Sequence, residues 1–156
     1  MRRRLPIDRA RDGSIRINLD DSARELLLRL AGELEAVDSA DKTGDPRMRR
    51  LHPTAYHQDP EHDEEFQRLM FDELRASRAA SLQQTRDALL SDTMTEDQLM
   101  GFMRTLNSLR LILGTQLDVA EGSDSEPLDD DPAAPFHYLY EYLGYLLECS
   151  VQALSS

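Results

Sequence analysis

Apolar residues along this chain follow two different periods, and the change between them divides it. From Ile15 to Leu19 they alternate with Arg16 and Asn18, the mark of a half-buried strand, and Asp12-Gly13 just ahead signals a turn back onto Leu5 to Ile7. Beyond residue 20 the spacing becomes three and four. Leu26, Leu27, Leu30, Leu34 and Val37 form one stripe behind Asp21 or Ser22 as cap, with Ser22 and Glu25 spaced as a capping box. Asp59 and Pro60 open the longest helix, with Glu61, Asp63, Glu64 and Glu65 in its first turns, where the helix dipole favours negative charge. Its apolar positions Phe66, Leu69, Met70, Leu74, Leu82 and Leu89 predict a core helix of about 30 residues, on the order of 45 Å long.

A third helix opens at Thr95 and Gln98, again spaced as a capping box, and carries Leu99, Phe102, Met103, Leu106, Leu109, Leu113 and Leu117 on one seam. The connector 91–95 is short, so this helix is expected to run antiparallel to the long one. Gly114 is read either as its end or as a point of close backbone approach. Residues 118–135 are acidic, lack periodicity and read as a loop; their carboxylates do not match the calcium-loop spacing. The last helix, about 135–154, is apolar on two sides. Phe136, Leu139, Leu143, Leu147 and Leu154 mark one side, and Tyr138, Tyr142, Tyr145 and Cys149 the other. Such a helix is either sandwiched within the domain or meets another chain through its tyrosines.

The expected fold is therefore mainly α: a helical bundle of about four principal helices with a short N-terminal strand or hairpin. Residues 1–19 form a basic arm and residues 20–156 a helical domain containing the acidic loop 118–135. With 156 residues, the chain is the size of one domain. No apolar run reaches membrane-spanning length and the basic start lacks an apolar segment, so the expectation is a cytoplasmic protein without membrane contact. Its single cysteine, Cys149, precludes an intrachain disulfide framework and fits a reducing compartment.

Charge narrows the choice of partner. The net charge is −12, and it is graded: residues 1–50 hold 12 Lys and Arg against 10 Asp and Glu, residues 51–110 hold 6 against 11, and residues 111–156 hold none against 9. Such a chain repels nucleic acid at long range, leaving Arg2, Arg3, Arg4, Arg9 and Arg11 as the basis of an alternative reading, a DNA-binding regulator. A second alternative is a metal-binding protein or metal-dependent enzyme using His57 and His62. Together with His52 they recur every five residues, whereas helical zinc sites place histidines three or four apart. No nucleophile elbow, phosphate loop, HExxH or CxxC is present, so no enzyme and no cofactor is expected. The interaction candidates are Tyr138, Tyr142, Tyr145 and Cys149, which could be buried or cross-link two chains, and the basic cluster Arg47, Arg49 and Arg50.

Arg49 to Met70 (RRLHPTAYHQDPEHDEEFQRLM) and Leu106 to Val119 (LNSLRLILGTQLDV), with Gly13 to Leu19 and the aromatic last helix, resemble the actinobacterial AosR-like family, actinomycete oxidative stress regulators long catalogued as a domain of unknown function. The resemblance implies a helical, non-enzymatic, stress-response regulatory protein, encoded near the adaptor of the Clp protease, that binds a protein partner such as an alternative sigma factor or a Clp-related component. A homodimer through the tyrosine face is the oligomeric expectation. The family's studied member senses oxidation with a Cys-x-x-x-Cys pair; this chain, with Cys149 alone, departs from that pattern.

Overall fold

The computed structural model describes residues 4–40, 60–121 and 134–156. Strands β1 (Ile7–Arg9) and β2 (Ile15–Ile17) form the expected hairpin, and helices α1 (Asp21–Ala40), α2 (Pro60–Leu89), α3 (Glu96–Glu121) and α4 (Ala134–Ser155) follow. The protein is mainly α.

The hairpin turn is built by local chemistry. The amide of Gly13 donates to the carbonyl of Ala10 at 3.0 Å, and Ala10 N donates to Ser14 O at 2.8 Å. Gly13 then takes a φ of +90°, which its missing Cβ permits, giving a three-residue loop closed by a left-handed glycine. Asp12 accepts from both the amide and the hydroxyl of Ser14, at 2.9 and 2.7 Å. Strand pairing sets Ile7 opposite Ile17 and Arg9 opposite Ile15, so the first strand lies slightly later than the Leu5 to Ile7 expected.

The connector 91–95 is more than a link. Thr93–Met94 forms β3, which adds to β2 with Met94 opposite Ile15 and completes a sheet of order β1-β2-β3. A two-residue strand leaves no period to read; it forms because Ile17 N reaches Asp92 O at 2.8 Å and Met94 is buried beside the isoleucines.

Two helix starts test the capping expectations. Thr95 and Gln98 bond reciprocally at the head of α3, Gln98 N to Thr95 Oγ1 at 3.1 Å and Thr95 N to Gln98 Oε1 at 2.9 Å. At α1 the cap is instead Asp20, whose Oδ1 accepts from Ala23 N at 2.8 Å. Asp20 lies one residue before the expected Asp21, so its carboxylate reaches the third helical amide and the Ser22–Glu25 box is unused. The Asp59 cap of α2 lies outside the described residues.

Antiparallel α2 and α3 form the spine, with Leu82 and Leu89 facing Leu99, Phe102 and Leu106 in one buried cluster. Each such side chain contributes about 1.5–3 kcal/mol when fully buried. The two backbones approach closely at Gly101, where an added Cβ would sit 2.9 Å from Gln84 Cβ. Above it, Thr85 Oγ1 lies 2.8 Å from the Ser81 carbonyl and 2.9 Å from Thr105 Oγ1, so the buried hydroxyls satisfy one another. Helix α3 runs unbroken through Gly114 to Glu121, taking the first residues of the expected acidic loop into its last turn. Helix α1 presents Leu27, Ala31 and Leu34 to α2, and Arg86 pairs with Glu35 across that contact.

The sheet packs on α4 with Ile7, Ile15 and Ile17 all buried, so the N-terminal hairpin shares one core with the helices. No described helix is long and apolar enough to cross a membrane.

Candidate functional site: a tyrosine face and cleft on α4

Among the described residues, helix α4 is covered on one side only. Leu143, Leu146, Cys149, Ser150 and Ala153 are buried, a stripe lying between the two faces expected from the sequence. The reason is geometric: α3 and β1 approach α4 from one direction, and the stripe between the aliphatic and tyrosine sides points at both.

The predicted tyrosine face is split as a result. Tyr138 is 66% exposed and Tyr145 46%, two turns apart. Tyr142, between them, is half-buried against the core, and burial together with the negative charge of Asp20 raises its phenol above 10.0. Cys149 is buried, with its thiol pushed up from 9.0 chiefly by loss of water. Four residues along the helix, Tyr145 hydrogen-bonds that thiol and partly opposes the shift.

A cleft of about 470 Å³ opens beside Tyr142 and Tyr145. Its far wall comes from the start of the hairpin, Arg4, Leu5 and Pro6, and its floor from Leu19 and Asp20 at the head of α1. Leu5 is exposed there, so apolar surface continues from the tyrosines onto the hairpin. Asn18 holds that wall in place by donating to Leu5 O at 2.7 Å.

The structure thus brings Tyr142 and Tyr145 together with part of the basic N-terminus, which sequence treats as separate features. Only some N-terminal arginines point outward. Arg9 donates from Nε to Ala153 O at the end of α4, from Nη1 to Gly13 O, and pairs with Glu96 at 3.0 Å. Arg16 grips Asp8 with two hydrogen bonds of 2.8 Å, which lowers the Asp8 carboxyl below 3.8. Arg4 and Arg11 are exposed.

Sequence reasoning missed Arg24, assigned above to no site. Its guanidinium donates to the carbonyls of Leu19, Leu89, Ser91 and Ile17 at 3.0, 2.8, 2.6 and 3.1 Å, tying α1 and β2 to the end of α2. Arg110 was also unmarked. It lies over the Tyr140 ring at 4.5 Å and across Gly144, stacking α3 on α4 through a cation–π contact.

Other candidates fall elsewhere. Arg47, Arg49, Arg50 and His57 lie outside the described residues, as does the side chain of His62 in the first turn of α2. Among the described residues no cluster of three His, Cys, Asp or Glu has metal-binding geometry.

A mainly helical domain with a small N-terminal sheet and an exposed aromatic helix face is the class of protein these observations define. The chain belongs to the DUF2017 family, a domain of unknown function, which it matches over residues 1–154. Neither the curated proteins nor the solved structures include a significant match.

Proposed function

We propose that this protein is a non-enzymatic regulatory module that acts by binding another protein through the exposed side of α4 and the adjoining cleft. The observation that carries this reading is the cleft lined by Leu5, Tyr142 and Tyr145, with Tyr138 exposed two turns from Tyr145 on the same helix. Tyrosine supplies large contact area at low entropic cost, and exposed Tyr138 keeps its polar tip in water. The AosR-like resemblance supports a partner in transcription or proteolysis, such as an alternative sigma factor or a Clp-related component, and a stress-response setting in an actinobacterial cytoplasm.

The cleanest perturbation is Tyr138→Asp, since Tyr138 is exposed whereas Tyr142 packs against the core. A photo-crosslinking residue at position 145 should capture one defined protein from cells, and Tyr138→Asp should abolish capture while leaving helicity intact. Capture unaffected by the aspartate would refute this face as the contact. Light scattering tests the homodimer reading in parallel, a mass of twice 17.8 kDa that falls to the monomer in Tyr138→Asp.

A further inference from the structure

The exposed side of α4 carries a short repeat. Tyr138, Glu141, Tyr145 and Glu148 follow one another at steps of three, four and three, so they stand as neighbours along one helical stripe. All four are exposed. A Tyr-x-x-Glu unit thus recurs after seven residues, about 10.5 Å along the helix axis. Among the described residues, neither Glu141 nor Glu148 makes a hydrogen bond or an ion pair.

Each unit sets an aromatic face beside a carboxylate, and together these two groups suit a cationic side chain. A planar guanidinium can lie over the tyrosine ring and direct its N–H groups at the neighbouring carboxylate, whereas an ammonium is a point charge without that fork. The spacing selects the backbone that would carry the cations. Residues on one face of a strand recur about every 6.8 Å, so they fall about 6.8 or 13.6 Å apart and match the repeat poorly. A helix laid along α4 brings side chains seven residues apart to the same separation of about 10.5 Å. Tyr145 also lines the cleft with Leu5, Leu19 and Tyr142, so apolar residues next to those cations have a place to go. Arg4 lines the opposite wall, which directs the basic edge of an occupant to the Glu141 and Glu148 side.

Resting on the docking reading above, we propose that the occupant of this face is a helix of the partner protein with two arginines seven residues apart. Each arginine sits on one Tyr–Glu unit, and apolar residues between them turn to the cleft. The net charge of −12 favours the approach of such a basic segment and disfavours a phosphate backbone.

The probe is a synthetic helical peptide with arginines at i and i+7 and leucines on the adjoining face, titrated into the full chain and followed by amide resonances. A second peptide of the same composition carries the arginines at i and i+5, on different sides of its helix. The first should shift amides at 138–148 and around the cleft, and bind roughly tenfold tighter than the second. Removing both carboxylates, Glu141→Gln with Glu148→Gln, should weaken it roughly tenfold, as two exposed ion pairs are lost. Reversing them, Glu141→Arg with Glu148→Arg, should abolish its binding, and a peptide with glutamates at i and i+7 should then bind in its place. Both positions are exposed, so these variants keep the fold, which circular dichroism checks. Equal binding of the two arginine peptides, binding indifferent to the two glutamates, or no binding by the first peptide would each overturn the inference. Cellular capture through position 145 that persists unchanged in the glutamine variant would sink this inference alone. Failure of the docking reading shows separately, as capture that is absent or indifferent to Tyr138→Asp.

Discussion

Replacing Arg24 should be among the most damaging single changes outside the apolar core, although the residue sits one turn into a helix on a face that looks solvated. Its side chain is only 15% exposed and donates to four backbone carbonyls, among them Leu89 in the last turn of α2, where helical carbonyls have no partner along the helix, and Ser91 just beyond it. A hydrogen bond from a charged donor is worth about 1.5–3 kcal/mol net. Four such bonds do not simply add, because carbonyls at a helix end regain water once the side chain is cut back. Arg24→Ala is therefore expected to cost about 3–4 kcal/mol, against a total stability on the order of 5–15 kcal/mol. Arg24→Lys keeps the charge but not the planar fan of donors that reaches Leu19 and Leu89 together, and should lose about half as much. Urea unfolding followed by circular dichroism measures this, with a midpoint lower by about 1.5–2 M for Arg24→Ala at a slope near 2 kcal/mol per molar. Arg29→Ala, on the exposed face of the same helix, should stay within about 0.5 kcal/mol of wild type. A cost below about 1 kcal/mol for Arg24→Ala, or a lysine variant equal to wild type, would show that the carbonyl contacts do not hold these elements together.

Three further outcomes follow from the packing and the titrating groups. Gly101→Ala should destabilise by about 1–3 kcal/mol, because its Cβ meets Gln84 Cβ as well as the movable Oε1, and unchanged stability would mean that α2 and α3 separate freely. Cys149 should react with a thiol reagent only as fast as the protein opens, since it is buried with its pKa raised; labelling at the rate of a free peptide thiol would contradict its placement. Tyr142 has its folded pKa raised above 10.0, so its contribution is whole below that pH and declines as pH rises through the folded value. Asp8 has its pKa depressed below 3.8, so the contribution of its Arg16 pair is whole above that pH and is lost as pH falls through the folded value. Denaturation across pH should show both declines, the acid one reduced in Asp8→Asn and the alkaline one reduced in Tyr142→Phe, while the shifts of Asp12 and Cys149 leave a remainder in each.

Much of the candidate site was legible residue by residue, but its assembly was not. Periodicity shows α4 as apolar on two sides and leaves open which side is covered; the directions of α3 and β1 decide, burying Leu146 and Cys149 and leaving Tyr138 in water. Arginines at 9, 16 and 24 look alike in sequence. Two of them are spent on backbone carbonyls and one on Asp8, while Arg4 reaches the rim of the cleft.

What the sequence by itself determined are features whose partners lie within one turn or one hairpin. The Thr95–Gln98 cap, the Gly13 turn and the stripe from Leu99 to Leu117 depend on neighbours a few positions away, and local geometry suffices to specify them. The tertiary structure alone decided the features whose partners are remote. Arg9 meets Ala153 across 144 positions, Arg24 meets Leu89 across 65, and β3 exists because β2 offers an edge to Thr93–Met94. Such contacts add nothing to the local preference of either residue. They arise only when burial of the shared core brings the elements together and places a donor beside a carbonyl that would otherwise be left without one.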